Sequence, residues 1–405
     1  MERIIHTYSN GLRIVAERSD SPVAYIGIVT DAGSRDDFHS CHGLAHFVEH
    51  TVFKGTETRK SWQINSRMET IGGELNAYTT KEETMVYTNA PAGYEARAFE
   101  LLADLVMHAT FPRAEIDKER DVITEEIYSY RDNPADAVYD EFDELIYRGS
   151  GLAHNILGTP DSVRDIRGED ARAFIDRFYT APNMVLYCVA PSDPERNIRL
   201  AEKYFGSLPA AASPRERTAP ELLPPFRETR NHDNHQANTI VGCRLFGRRD
   251  PRRHALFLLN NYLGGPAMNS RLNQTIREKR GWVYTVDSNV ALTSDSGTLL
   301  VYYGSDAKNV EKCERLIKAE IDSLAQNGLS QRTFAKAREQ YCGQLLVSGD
   351  HRENCAMSLA KSLLYFGEVH DVRFTAERMR EVTADQLRDV AQFIAAQPLS
   401  RLTLQ

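Results

Sequence analysis

Apolar residues recur with two different periods along the chain, and the changes between them predict an alternation of strands and helices. Short apolar runs bounded by turn residues predict strands, whereas apolar positions recurring every three or four residues predict helices. The predicted strands are an N-terminal hairpin with its turn at 9–11, then 23–31, 74–80, 84–90, 183–189 and 239–249. The predicted helices are 62–71, 91–109, 113–131, 198–205 and 254–262. This order predicts a mixed α+β chain.

The same order of elements recurs at an offset of 214 residues. The matching pairs are Arg35-Asp36 with Arg249-Asp250, and the strand segments 84–87 with 298–301. Agreement of the offset at two separate places predicts the duplication of one α+β unit. Residues 207–230 are rich in proline, alanine and charge and have no apolar period, which is typical of a linker. We therefore expect a domain at 1–210, a linker at 211–228 and a second domain at 229–405.

Composition narrows the function classes. A chain of 405 residues is too long for one ordinary core. A net charge of −8 argues against a nucleic-acid partner and against binding to an anionic membrane. The N-terminus lacks the basic start and long apolar core of a signal peptide, so we expect a cytoplasmic location. The six cysteines are scattered without a C-x-x-C pair, which predicts no disulfide framework.

The shortest segment that contains several candidate metal-binding or catalytic residues is the H-x-x-E-H pattern of residues 46–50. His46 and His50 are four residues apart, so on a helix both imidazoles lie on one face. Glu49 flanks that face and can either bind an ion or take a proton from a water molecule. Two imidazoles and a carboxylate suit a divalent ion such as zinc. Apolar residues at helical spacing support the helix, and Gly55 is expected to end it.

A catalytic zinc site needs a third protein ligand, and the predicted helix 113–131 offers several carboxylates. Glu119 and Glu126 are seven residues apart and share a helix face, whereas Glu125 is turned by about 100°. Either of the first two could reach a buried ion. The spacing alone does not choose between them.

The second copy of the repeat carries none of these ligands. The offset places Asn260, Leu263 and Gly264 opposite the two histidines and the glutamate of the motif. A metal that only holds the unit together would be expected in both copies. Its restriction to one copy favours a catalytic N-terminal domain and a degenerate C-terminal domain.

Five motifs together resemble the pitrilysin-type inverzincin zinc metallopeptidases, most closely the bacterial relatives of the mitochondrial processing peptidase β-subunit. These motifs are HFVEHTVFKGT (46–56), GGELNAYT (72–79), ERDVITEEI (119–127), LGGPAMNSRL (263–272) and REKRGWVY (277–284). The resemblance covers nearly the whole chain. It implies two duplicated domains, each a mostly antiparallel sheet packed with helices, that face each other across a substrate chamber.

The resemblance also assigns roles to residues. It implies one Zn²⁺ per chain, held by His46, His50 and Glu126, with Glu49 as the general base. Glu119 would orient a ligating histidine.

In the C-terminal domain, the resemblance implies that Arg277 binds a substrate carbonyl and that Tyr284 stabilises the tetrahedral oxygen. Asn76 and Ala77 would bind an extended peptide through the backbone of their strand. The bulky Trp282 and Pro266 depart from the family pattern and are expected to reshape the pocket.

The expected function is a zinc-dependent endopeptidase that acts on extended peptides or unfolded segments. The expected partner is a peptide substrate, with no nucleic acid and no membrane, and a homodimer is the assembly considered. The alternatives are a non-catalytic structural subunit of the same fold and one subunit of a heteromeric peptidase. Zinc content together with peptide hydrolysis would separate them.

Overall fold

The computed structural model describes residues 2–38, 41–213, 217–232 and 235–405. The strands are β1 Arg3–Thr7, β2 Arg13–Arg18, β3 Val23–Thr30, β4 Glu74–Thr79, β5 Thr84–Pro91, β6 Met184–Ala190, β7 Arg227–Arg230, β8 Ala237–Leu245, β9 Val283–Leu292, β10 Gly297–Ser305 and β11 Ser400–Leu404. The α-helices are α1 Leu44–Thr51, α2 Ser61–Glu69, α3 Glu95–His108, α4 Arg113–Arg131, α5 Pro134–Ile146, α6 Pro160–Asp165, α7 Gly168–Phe178, α8 Pro194–Phe205, α9 Arg253–Gly264, α10 Val310–Asn327, α11 Gln331–Ser348, α12 Arg352–Phe366, α13 Val372–Glu381 and α14 Ala384–Ala395. Within these described ranges, no helix is both long and apolar enough to cross a membrane.

Two sheets of the same topology confirm the predicted α+β architecture and its duplication. The first sheet has the strand order β1-β2-β6-β3-β5-β4, and the second has the order β7-β11-β8-β10-β9. In the first sheet β2 and β6 run parallel, and in the second β7 and β11 do. Every other neighbouring pair in both sheets is antiparallel. The second sheet therefore repeats the last five strands of the first in order and direction.

The chain forms two compact units whose borders do not follow the sequence linearly. The first unit contains Met1–Tyr128, His154–Arg217 and Gly349–Asp371, and the second contains the remaining segments. The division differs from the predicted one at α5, which packs on β8 and β11 of the second unit, and at α12, which packs on β6 and β3 of the first. The apolar face of each helix explains this placement, because each helix buries its apolar residues against the sheet formed by the other half of the chain.

Most predicted elements exist, but several ends are displaced. Helix α1 ends at Thr51 and not at Gly55, and α3 begins at Glu95 because Pro91 still belongs to β5. Helix α8 begins at Pro194, four residues earlier than predicted, because Asp193 caps it by accepting from the backbone N–H of Glu195. The predicted linker ends in β7, which pairs with β11.

Helices α1 and α4 carry the candidate ligands, and both are fixed by buried apolar faces. On α1, Leu44, Phe47 and Val48 are completely buried, and the helix packs against α7 and β4. On α4, Ile123 is completely buried, whereas its neighbour Val122 is 50% exposed. The polar side chains of both helices are therefore held in fixed directions by the core beneath them.

The two neighbours on α4 give a matched test of this packing. We expect Ile123→Ala to destabilise the first unit by about 2–5 kcal/mol, because it removes buried methyl groups and leaves a cavity. Val122→Ala should change stability by less than about 0.5 kcal/mol. Denaturant titration, followed by far-UV circular dichroism, measures both. Equal losses for the two variants would contradict this assignment of buried and exposed faces.

Candidate metal centre

The face of α1 that carries both histidines points away from the completely buried apolar residues. The imidazole centroids of His46 and His50 lie 4.6 Å apart, as expected for positions one helical turn apart. Gly43 immediately precedes the helix, and its φ of 91° lies in the left-handed region. A Cβ atom there would lie 2.6 Å from the carbonyl oxygen of Leu157, so only glycine fits.

Three donor atoms from α1 and α4 converge at this face. Glu126 Oε2 lies 3.5 Å from His50 Nε2 and 3.8 Å from His46 Nε2. His46 is buried, and the other two side chains are half-buried. The structure thus brings together the three predicted ligands, and among the four glutamates of α4 it is Glu126 whose carboxylate lies within 3.8 Å of both histidines.

Glu119 occupies the position beside this group that the resemblance implies. Its Oε2 lies 3.1 Å from His50 Nδ1, and its Oε1 lies 2.6 Å from Lys54 Nζ. An ionised carboxylate only accepts hydrogen bonds, so Nδ1 of His50 carries the proton of this bond. The lone pair of the neutral ring is then on Nε2, which faces Glu126.

The pKa values of the two histidines differ because their surroundings differ. Burial, with a smaller contribution from His50, lowers the pKa of His46 to about 4. Burial also acts to lower the pKa of His50, but hydrogen bonds to Glu119 and Glu126 outweigh it and raise that pKa to about 9. Without an ion, a proton on His50 supplies the positive charge between the two carboxylates. A bound cation would supply the same charge.

Glu49 lies beside these donors. Burial raises its pKa, against a hydrogen bond with Thr79 that lowers it. Its Oε2 atom is buried and has no hydrogen-bond partner among the residues that the structure describes. A buried carboxylate oxygen without a partner is costly, so this atom is available to accept a proton or a hydrogen bond from a small molecule.

A cleft of about 620 Å³ opens over the site, entirely within the first unit. It is lined by residues of α1, α2 and β4, among them Glu49, His50, Asn76 and Ala77. Strand β4 is the edge of its sheet and pairs only with β5 in the described part of the chain. The free edge of β4 therefore lies along the cleft.

The donor set fits a zinc ion. Zinc–nitrogen and zinc–oxygen bonds of about 2.1 Å in a tetrahedron place ligand atoms about 3.4 Å apart. The two separations to Glu126 Oε2, 3.5 and 3.8 Å, are close to that value. Two imidazoles and one carboxylate also leave one coordination position open, as catalytic zinc sites do.

Family models match most of the chain. The model described as insulinase, peptidase family M16, matches residues 13–160, and the model described as peptidase M16 inactive domain matches residues 165–341. The chain belongs to the M16 peptidase family. The H-x-x-E-H motif and Glu126 lie within the first match, and the M16 inactive-domain match begins after them.

Relatives of this M16 chain have similar length. The uncharacterized zinc protease YmxG of Bacillus subtilis is 31% identical over 387 residues, which cover 95% of this chain and 94% of that protein. An uncharacterized zinc protease of Streptomyces coelicolor is 32% identical over 393 residues, which cover 95% of this chain and 85% of that protein. Both proteins are named zinc proteases.

Two solved structures share the M16 fold over the full length. A peptidase M16 inactive domain from Pseudomonas fluorescens has a TM-score of 0.91 at 18% identity, covering 100% of this chain and 98% of that one. A protease from Helicobacter pylori has a TM-score of 0.90 at 19% identity, covering 100% and 99%. At these identities the likeness shows the fold alone.

The two candidate residues of the C-terminal half lie in the second unit. Arg277 is in a π-helical segment, Asn273–Glu278, and donates to the sulfur of Met268. Tyr284 is 64% exposed on β9 and donates to Asp306 at 3.1 Å. Both side chains are thus accessible in their own unit, and their roles stay predictions.

Asp37 is a residue of the site region that the sequence did not reveal. Its carboxylate accepts from the backbone N–H of Gly43 at 2.7 Å and of Ala45 at 2.8 Å, so it holds the start of α1.

Asp37, His42 and His154 also form a group close enough to hold a metal. However, His154 Nε2 lies 2.6 Å from the carbonyl oxygen of Ser34, and Asp37 already accepts the two amides, which fits a capping role. Asp37 lies six positions before Gly43, so no local capping pattern marks it.

Adjacent glutamates on α4 give a matched test of the metal site. We expect Glu126→Gln to weaken zinc binding by more than about 100-fold, because the loss of a zinc ligand should weaken binding more than the loss of a residue that only orients a ligand. Glu125→Gln should leave zinc binding unchanged, because Glu125 is exposed and turned away. Zinc content after dialysis and calorimetric titration measure both. Equal retention of zinc by the two variants would remove Glu126 from the ligand set.

Proposed function

We propose that this M16 chain is a zinc-dependent endopeptidase that hydrolyses extended peptides or unfolded segments, with one Zn²⁺ per chain. The observation that carries the proposal is that three convergent ligand atoms, a carboxylate oxygen of Glu49 without a partner among the described residues, and a free strand edge lie together at one cleft. The ligand atoms and the carboxylate oxygen suit hydrolysis, and the strand edge suits the binding of an extended peptide. The names of the relatives support zinc and proteolysis.

The peptide would bind as an additional strand on β4. The backbone groups on the free edge of Asn76 and Ala77 would pair with the peptide, and the side chains of alternate peptide residues would point into the cleft. This mode of binding depends more on the backbone of the peptide than on its amino-acid sequence. It therefore selects segments that are unfolded or can become extended.

A bound zinc ion would polarise the carbonyl and lower the pKa of a water molecule to about 7. His46, His50 and Glu126 would hold the ion, and Glu119 keeps the Nε2 lone pair of His50 directed at it. Glu49 would accept the proton of the attacking water at Oε2 and pass it to the leaving amine. The peptide carbon thus gains a hydroxyl group, and the amine leaves protonated.

Arg277 and Tyr284 are proposed to act on the same peptide, the first by binding a carbonyl and the second by donating to the tetrahedral oxygen. A cytoplasmic location and a homodimer stay predictions. The competing proposal is a non-catalytic subunit of the same fold, and the Pseudomonas fluorescens protein, which is named a peptidase M16 inactive domain, keeps it in consideration. The presence of both histidines, Glu49 and Glu126 favours the enzyme.

Replacement of the proposed base tests the function. We expect Glu49→Gln to retain zinc and to lower kcat by about 10²–10⁴-fold on an unstructured peptide, because the amide cannot take the proton. Glu69→Gln, in a carboxylate that lines the same cleft, should change kcat only a few-fold. Mass spectrometry of a peptide-library digest, with and without chelator, measures cleavage. Absence of cleavage by the zinc-loaded wild type would favour the non-catalytic subunit.

A second variant tests the contribution of the second unit. We expect Tyr284→Phe to lower kcat by about 10–10³-fold with zinc content unchanged, because only the phenolic donor to the developing oxyanion is lost. Asp306→Asn is the control, since it changes the present partner of that hydroxyl without removing the donor. A wild-type rate for Tyr284→Phe would end the proposed role.

A further inference from the structure

Helix α2 forms one wall of the cleft and has two distinct faces. Ile64 and Met68 are completely buried in the core of the first unit. Asn65 and Glu69 line the cleft. The face that bears them is therefore the one directed at a bound peptide.

Trp62 lies on the same face. At about 100° per residue, Trp62, Asn65 and Glu69 fall within an arc of about 60°, whose centre is turned by about 110° from that of the buried Ile64 and Met68. Trp62 is three residues before Asn65, which places its Cα about 4.5 Å further along the helix axis. Because side chains on a helix lean towards its N-terminus, the indole extends beyond Asn65 at the end of the cleft.

The exposure of Trp62 is unusual for its unit. The side chain is 68% exposed, more than any other large apolar side chain that the structure describes in the first unit. A single exposed apolar residue is common on a protein surface and carries no meaning by itself. Here the indole lies on the face of α2 that borders the cleft, and Phe53, Leu75 and Ala77 give the cleft an apolar strip whose side chains are only partly buried.

A peptide added to β4 would place alternate side chains along this strip. Resting on the proposed peptidase function, we propose that Trp62 selects substrates with a large aliphatic or aromatic side chain at one fixed distance from the cleaved bond. The indole offers a broad apolar surface at low cost in conformational entropy. A small or charged side chain at that position would leave the indole exposed to water.

The test uses the full-length, zinc-loaded chain and matched unstructured peptides of one backbone sequence. A single guest residue, Ala, Leu, Phe or Lys, is moved along the peptide, and kcat/KM is measured for each. The wild type should prefer Leu and Phe over Ala by about tenfold at one guest position. Trp62→Ala should remove this preference at that position only, and Trp62→Phe should retain most of it.

Gln63→Ala is the matched control. Gln63 is exposed on another face of α2, and its side chain accepts from the backbone N–H of Lys60. The control weakens the helix start without touching the cleft, so it should leave the guest preference intact. Trp62 is exposed, so its variants should fold like the wild type. Measurement of their zinc content verifies that they do.

The outcomes separate this inference from the proposed function. Cleavage by the wild type with no guest preference, or a preference that Trp62→Ala retains, overturns the role of Trp62 and leaves the peptidase intact. If Gln63→Ala also removes the guest preference, the preference depends on the stability of α2 and not on Trp62. That result overturns the inference too. No cleavage of any peptide by the zinc-loaded wild type overturns both proposals.

Discussion

The hydrogen bond between His50 and Glu119 is the interaction on which the candidate centre depends. It joins α1 to α4, as the contacts of both histidines with Glu126 also do, and it fixes which nitrogen of the imidazole faces Glu126. Lys54 holds the other oxygen of the same carboxylate, so Glu119 has little freedom to turn. The three donor atoms approach each other because these neighbouring contacts leave each side chain few alternatives.

The second unit shows what the same helix does without ligands. At the position equivalent to His46, Asn260 donates to the carbonyl oxygen of Ser288 on β9, the strand that corresponds to β4. At the position equivalent to His50, a Cβ on Gly264 would lie 2.7 Å from Ser288 Oγ. Helix α9 therefore lies directly against its edge strand, and no imidazole fits there. The duplicated unit has closed the space that the first unit keeps as a cleft.

Local sequence patterns predicted the elements and the pair of histidines because both depend on short spacings, whereas the choice of Glu126 over Glu119 came from the family resemblance. The period of α4 and the i, i+4 spacing of His46 and His50 can be read without knowledge of the fold. Lys54, four residues after His50, followed the same spacing and could have been proposed. Asp37 could not, because its capping contact depends on how the loop before α1 folds back.

The exchange of α5 and α12 was equally hidden from the sequence. Nothing in the periodicity of residues 352–366 indicates which of two similar sheets the helix will cover. Spacings report which face of a helix is apolar, whereas the choice of partner depends on shape complementarity between distant segments. The unit borders consequently required the structure.

The position of α12 has a consequence for the order in which this chain can acquire its native state. Val15, Val29 and Tyr187 form an apolar layer with residues of α12, which follows Tyr187 by about two fifths of the chain and the two valines by about four fifths. During synthesis on the ribosome this layer stays uncovered until residues 352–366 have emerged. The unit that carries the candidate metal centre is thus completed only near the end of synthesis, and a nascent chain that stalls earlier leaves an apolar sheet face exposed to solvent.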